Sequence, residues 1–398
     1  MAESCDPREG RRPWRPSRAA SDAPRLERWA RRVTSPVASA LLAVLVLTAP
    51  GQGFAAEDLR FFRIGTGSTS GIYFPIGGLI ASAISNPPGS RACDRGGSCG
   101  VPGLIAVAQA THGSVDNVKA MAKGDLESGL SQADIAYWSY TGKGMFHGKN
   151  RITNLRAIAN LYPESVHIVA REDAGIKSVK GLKGKRVSLD VSGSGTQVNA
   201  RLILKRYGVG LKTFRPVYVQ LGPAIDMMRE GRLDAFFFVA GYPVRAIAEL
   251  AERVPIQLVP IMGKTAKRLR RSDRFFSETV IPAGTYKGVD DTPTLSVGAQ
   301  WIVRADVDEK LVYGITRALW HKNTRPLLDS GHPNGRLLRL ETALDGIAIP
   351  LHPGAERYYR EAGLIPVPDM GGEGGGGTAA KPAVKKRKMK GGKPAPAK

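Results

Sequence analysis

Cysteine is scarce in this chain. Three occur in 398 residues, and Cys93 and Cys99 lie in a short run, Cys-Asp-Arg-Gly-Gly-Ser-Cys, with no histidine near them in sequence. A structural zinc centre needs further ligands at suitable spacing, so no metal is expected. Long apolar runs are missing as well. The uncharged stretch 37–49 (VASALLAVLVLTA) has thirteen residues, whereas a helix needs about 20 to cross a bilayer of about 30 Å. Acidic residues are in deficit, 35 against 58 Lys and Arg, which gives a net charge of +23. Aromatics make up only 7% and no basic stripe is interleaved with them, which argues against a nucleic-acid partner. Local enzyme signatures are absent too. Ser70 stands where a dinucleotide fingerprint needs its third glycine, and Val198 does the same in Gly193-Ser194-Gly195. No phosphate loop, no His-Glu-x-x-His and no Gly-x-Ser-x-Gly elbow occurs. We therefore expect no catalytic residues and no cofactor.

The charge is unevenly spread. Residues 1–56 carry +4, residues 371–398 carry +7, and the core between them carries +12. Arg25, Arg28, Arg31 and Arg32 precede the thirteen-residue apolar run, and Gly53 and Ala55 supply small residues behind it. This is the layout of an export signal, expected over 1–55 with cleavage near Ala55 and the mature chain in the periplasm; an uncleaved anchor is the alternative. In an oxidising compartment Cys93 and Cys99 are expected to form a disulfide across a small loop, with free thiols as the alternative. From Gly371 on, Gly, Ala, Pro and Lys dominate without a periodic apolar face, so 371–398 is expected to be a disordered basic tail.

What the core does contain is one device used three times. Arg60 to Ile64 reads as a strand, Gly65-Thr66-Gly67-Ser68-Thr69-Ser70-Gly71 as a turn, and Tyr73 to Ile84 as a helix with apolar residues at helical spacing. Arg186 to Val191 leads through Ser192-Gly193-Ser194-Gly195-Thr196 into a helix from Gln197. Asp234 to Val239 leads through Ala240-Gly241-Tyr242-Pro243 into a helix from Val244. Glycine lets backbone approach a ligand, and a helix start offers unpaired N–H groups with the positive end of the dipole. Such turns suit an anion, although a bare turn would use the same residues. Strands alternating with helices imply parallel α/β layers, whose ligands gather at the carboxyl ends of the strands. Ser114, read as an N-cap, and Asn117 open a further helix, and Gln132 ends a strand. Leu155 to Asn160 and Val166 to Ala170 are two apolar runs separated by Tyr162-Pro163-Glu164-Ser165, a pattern that strands crossing between lobes often have.

In this order, Gly65-Thr66-Gly67 with Tyr73-Phe74-Pro75-Ile76-Gly77-Gly78, Gly113-Ser114-Val115-Asp116-Asn117, Leu161-Tyr162-Pro163-Glu164, Ser192 to Thr196, Phe237 to Pro243 and Leu351-His352-Pro353-Gly354 resemble the TAXI solute-binding proteins. These are receptors of a subgroup of TRAP transporters. The resemblance spans residues 60 to about 366. It implies an α/β fold of the two-lobed periplasmic-binding type (type II-like, a Venus flytrap with hinge strands), acting as a monomer that delivers a small anionic or zwitterionic solute to membrane permease subunits. A glutamate-like amino acid or a dicarboxylate is the implied solute class. A ligand sensor for a membrane signalling kinase is the alternative use of the same fold. Lobe 1 is expected over 57–160 and 286–370, and lobe 2 over 161–285. The ligand-binding candidates are Gly67, Ser68, Thr69, Tyr73, Ser114, Asn117 and Gln132 from one lobe, and Ser192, Ser194, Gly195, Thr196, Val239, Ala240 and Gly241 from the other.

Overall fold

The computed structural model describes residues 59–366, so the expected export signal and basic tail lie outside the described residues. Strand β1 (Arg60–Gly65) buries Phe62 and Ile64 and turns Phe61 outward, the alternation a one-sided strand requires. Helix α1 (Tyr73–Ile84) places Ile76, Ile80 and Ile84 at four-residue steps, all fully buried in the cluster that contains Phe62 and Ile64. A short parallel pair, β2 (Ser85–Asn86) and β3 (Val101–Pro102), flanks the loop in which Cys93 and Cys99 are bonded with Cα atoms 4.7 Å apart. Then come β4 (Leu104–Gln109), α2 (Ser114–Lys123), β5 (Ser128–Gln132) and α3 (Ala133–Thr141).

The chain next crosses in β6 (Leu155–Arg171), a single strand of 17 residues. This corrects the expectation of two runs interrupted at Tyr162–Ser165. Pro163 lies opposite Gly298 of a neighbouring strand, where a register shift follows at Ala299/Gln300, so the pairing absorbs the missing N–H instead of ending. The far half repeats the plan with β7 (Arg186–Ser188), α4 (Gly195–Arg206), β8 (Arg215–Val217), α5 (Leu221–Arg229), β9 (Ala235–Ala240) and α6 (Arg245–Ala251). After β10 (Ile256–Leu258), α7 (Gly263–Ser272) and β11 (Ser277–Ile281), the chain returns in β12 (Thr292–Arg304) and finishes with α8 (Glu309–Leu319), α9 (Arg325–Gly331) and α10 (Pro353–Glu361).

The sheet order is β4-β1-β5-β12-β6-β9-β7-β8. Read from either edge, the second strand of a half comes first, then the first, then the third, then a long antiparallel strand arriving from the other half. Each half even carries the same clamp. Arg63 on β1 grips Glu127 just before β5, with N to Oε2 at 2.8 Å and Nε to Oε2 at 2.9 Å. Arg186 on β7 grips Asp234 just before β9, with N to Oδ2 at 2.7 Å and Nε to Oδ2 at 3.1 Å. The fold is thus α/β and two-lobed, with β6 and β12 as the two long connecting strands.

Asn117, expected to contact solute, instead holds one lobe together. It is fully buried. Its Nδ2 donates to the carbonyls of Thr66 (2.7 Å) and Leu130 (2.8 Å), and its Oδ1 accepts from Thr111 Oγ1 at 2.8 Å. It thereby ties the turn after β1 to β5 and to the turn before α2. The fit explains Gly65, because a Cβ there would stand 2.6 Å from Asn117 Oδ1. Removing the amide strands buried carbonyls, each costing about 1–3 kcal/mol. Asn117→Ala should therefore lower the unfolding free energy by about 2–3 kcal/mol, read from urea midpoints. Unchanged stability would contradict this placement.

Candidate functional site

The carboxyl ends of the parallel strands in both halves open onto one cleft, which encloses about 480 Å³ of empty space, its mouth included. Helix starts surround it. Tyr73 begins α1, Ser114 begins α2, Gln132 precedes α3, Gly195 begins α4 and Gln220 precedes α5, and all five residues line the cavity. Only α4 has a side-chain cap, Ser194 Oγ accepting from Gln197 N at 3.0 Å; the starts of α1, α2, α3 and α5 have none. Five dipoles of the same sense aimed at one space favour negative charge there.

Ten of the fourteen binding candidates line this cavity: Gly67, Ser68, Tyr73, Ser114 and Gln132 from one half, and Ser194, Gly195, Thr196, Val239 and Ala240 from the other. Four do not. Thr69 and Ser192 are exposed on their turns, beyond the cleft. Asn117 is spent inside its own lobe, as described above. Gly241 is buried against Asn334, whose Oδ1 occupies the space where a Cβ would stand. Some that do line it are already engaged. The N-cap of α2 is Gly113, not Ser114, whose hydroxyl accepts from Gln132 N at 3.1 Å. Thr196 Oγ1 accepts from Val239 N at 3.1 Å.

The two halves touch across the cleft by hydrogen bonds. The Gly193 carbonyl accepts from Val115 N and Asp116 N, both at 3.0 Å, and so caps α2 from the opposite lobe. Gly193 has φ +99° and would drive a Cβ into Asp116, so both the turn and the approach require glycine. Asn199 on α4 donates through Nδ2 to Gln132 Oε1 and Asp134 Oδ2, each at 3.0 Å.

Sequence reasoning missed the acids. Glu164 on β6 and Asp190 after β7 both line the cavity, and among the described residues no lysine or arginine does. Glu164 is 2% exposed, and its Oε2 accepts from the Tyr73 hydroxyl at 2.7 Å. Burial pushes its carboxyl well above the ordinary range. Burial likewise pushes Asp190 up to about 6, against a hydrogen bond from Val191 N that favours the charge. Asp190 also has φ +68°, the one described non-glycine residue at positive φ, an unfavourable conformation of a kind that recurs at functional sites. The sequence did hold a signal. Glu164 stands alone between apolar runs, and Asp190 is an acid at the carboxyl end of a strand, just before the glycine turn. The cysteine loop holds another surprise, because His321 lies beside the disulfide, with its ring nitrogen and both sulfurs within 4.8 Å of one another. Bonded to each other, those sulfurs offer no thiolates to a metal.

Asp134 sits behind Gln132, fully buried, and burial pushes its carboxyl up to about 7 against the hydrogen bond from Asn199. Asp134 Oδ1 and Asn199 Oδ1 have no partner among the described residues, and protonation of the carboxyl supplies a donor. In the unfolded chain the group takes its proton near 3.9. Between about 4 and about 7 the folded state therefore binds more protons, so this group's contribution to stability grows as pH falls through that window and is lost as pH rises. Asp190 acts in the same sense, whereas buried His167, lowered to about 4, acts oppositely. Asp134→Asn isolates the first effect. Relative to the native chain, the variant should gain stability from pH 4 to pH 8, by roughly 1.4 kcal/mol per pH unit within the window. Parallel urea-unfolding curves across that range would contradict it.

Among solved structures, the chain is similar to PhnD1 from Prochlorococcus marinus (MIT 9301) in complex with methylphosphonate, at 12% identity over 77% of this chain and 99% of that one, with a TM-score of 0.45. It is similar also to a binding protein component of an ABC phosphonate transporter from Pseudomonas aeruginosa, at 11% identity over 73% and 84%, TM-score 0.43. A third likeness is to the alkanesulfonate-binding protein SsuA from Xanthomonas axonopodis pv. citri bound to MOPS, at 14% identity over 77% and 85%, TM-score 0.39. What those proteins bind belongs to them. Residues 64–363 match the model of a sequence family, well over half the chain, and the protein belongs to that family, the NMT1-like family.

Proposed function

We propose that this protein is an exported receptor that closes two lobes around a small amino acid or comparable zwitterion and delivers it to TRAP-type permease subunits, as its TAXI resemblance implies. One observation carries the choice of solute. The cavity is ringed by helix starts yet contains Glu164 and Asp190 and no described cation from lysine or arginine. A carboxylate is served by the amides and hydroxyls around α1 and α4, with Ser68, Ser194, Gly195 and Thr196 beside it. An ammonium group is served by Asp190 and Glu164, the latter regaining its charge when a cation arrives. A dicarboxylate, the other implied class, would set its second carboxylate against these acids. Val239 and Ala240 supply backbone at the floor. In this reading lobe 1 comprises 57–160 and 286–370, lobe 2 comprises 161–285, and β6 and β12 are the hinge. Closure follows binding because only the closed form brings both sets of groups to one solute.

Thermal-shift screening of amino acids against dicarboxylates of matched length tests this directly. A bound amino acid at a hundred times its dissociation constant should add about 2.7 kcal/mol to stability, and dicarboxylates should add less. Tighter binding of dicarboxylates, or no shift with any small amino acid, would overturn the assignment. Asp190→Asn should then weaken the amino acid at least tenfold in calorimetry. Asparagine tolerates the positive φ at this position, so the turn is preserved and the lost charge is what is measured.

A further inference from the structure

A second concave surface runs between α3 and α4. One wall carries Arg201 and Lys205, with Arg206, on the outward face of α4, and the other carries Lys149 and Met145 beyond α3. The space is large, about 1280 Å³ including its open side. A single acid, Asp273, lines it and is paired with Arg206 at 3.3 Å. The groove therefore keeps a surplus of three positive charges. It adjoins α7, whose Lys264, Lys267, Arg268, Arg270 and Arg271 are all exposed with no acid in the helix. Trp138 of α3 lines the groove and, with Tyr137, packs on Phe275 just beyond α7, with ring centroids 6.5 and 4.9 Å from that ring. The walls thus come from both halves of the molecule.

We propose that this groove is a docking surface for an acidic polypeptide segment of a partner protein, and that it needs both lobes to be complete. Like charges gathered on one face repel one another, and an acidic partner relieves that. Concavity and a partly apolar floor suit a chain with an apolar side chain among its acids, whereas a flat bilayer cannot enter. A single-stranded nucleic acid gains from exposed rings on which its bases stack, and Trp138, the ring that lines the groove, is 8% exposed, which leaves such a strand phosphate contacts alone. The surface lies outside the solute cavity, and the proposal goes beyond the receptor reading.

The test uses a fluorescein-labelled peptide of glutamates with interspersed leucines, read by anisotropy at low and moderate salt. Phosphatidylglycerol vesicles and a thymidine oligonucleotide serve as competing probes. The native chain should bind the peptide with an affinity that falls as salt rises. The double reversal Arg201→Glu with Lys205→Glu should weaken it at least tenfold, and Lys149→Glu on the opposite wall should weaken it severalfold. Lys310→Glu with Arg317→Glu on α8, which packs against α1 and α10, should leave it unchanged. These side chains are exposed, so thermal midpoints should stay within a few degrees. The proposal is overturned if α4 reversals leave peptide affinity intact, if Lys149→Glu has no effect, or if vesicles or oligonucleotide bind more tightly through the same residues.

Discussion

Two long strands lying side by side set the position of everything else. β6 and β12 pair antiparallel from Leu155 opposite Arg304 to Ser165 opposite Ser296. Each is a central strand for both halves of the sheet, because β5 lies along β12 and β9 along β6. Since the parallel strands of each half run toward the other half, their carboxyl ends, and the helix starts that follow, meet at the same gap. The cavity is a product of topology before it is a product of any side chain. This is why its walls are mostly backbone-rich turns, with the bulky core placed behind them.

The electrical character of the gap is mixed, and the mixture is informative. The core of the chain carries +12, yet that surplus does not appear in the cavity, where the ionisable residues among the described ones are Glu164, Asp190, Tyr73 and His112. Buried carboxyls are costly when charged; burial pushes the Glu164 carboxyl well above its ordinary range, and the hydrogen bond from Tyr73 works against that shift. Fixed positive dipoles and acids that can ionise on demand sit in one enclosure. That mixture is the ground for proposing a solute that bears both signs.

How much of this could be read in the sequence differed by residue type. Glycine and hydroxyl turns after strands are visible because few other residues make such turns, and Ser68, Ser194 and Gly195 were placed at the gap on that basis. Buried polar residues are not visible in the same way. Asn117 looks identical in sequence whether it faces a solute or the carbonyls of Thr66 and Leu130, since both roles use a first-turn amide. Glu164 was hidden by its neighbour, because Pro163 reads as a break although the strand passes through it. His321 meets the Cys93–Cys99 loop from more than two hundred residues away, a distance that no local spacing rule spans. The export signal and the tail, read from composition, concern residues outside those described.

On the proposed receptor reading, the contacts between lobes also limit what a solute carboxylate would gain. The first amides of α2 are capped by the Gly193 carbonyl, and the Ser114 hydroxyl is held by Gln132 N. With α2 occupied, an entering carboxylate is left chiefly with the starts of α1 and α4 and with Gln220 at α5. Charge-assisted hydrogen bonds contribute about 1.5–3 kcal/mol each. Three or four of them, less the cost of ordering, reach about 8 kcal/mol, the scale of micromolar binding. A helix dipole alone, at most about 2 kcal/mol, falls well short of that. Under the proposed closure, the cap on α2 belongs to that step and not to recognition. It satisfies the amides of Val115 and Asp116 and ties the two halves together beside the remaining helix starts.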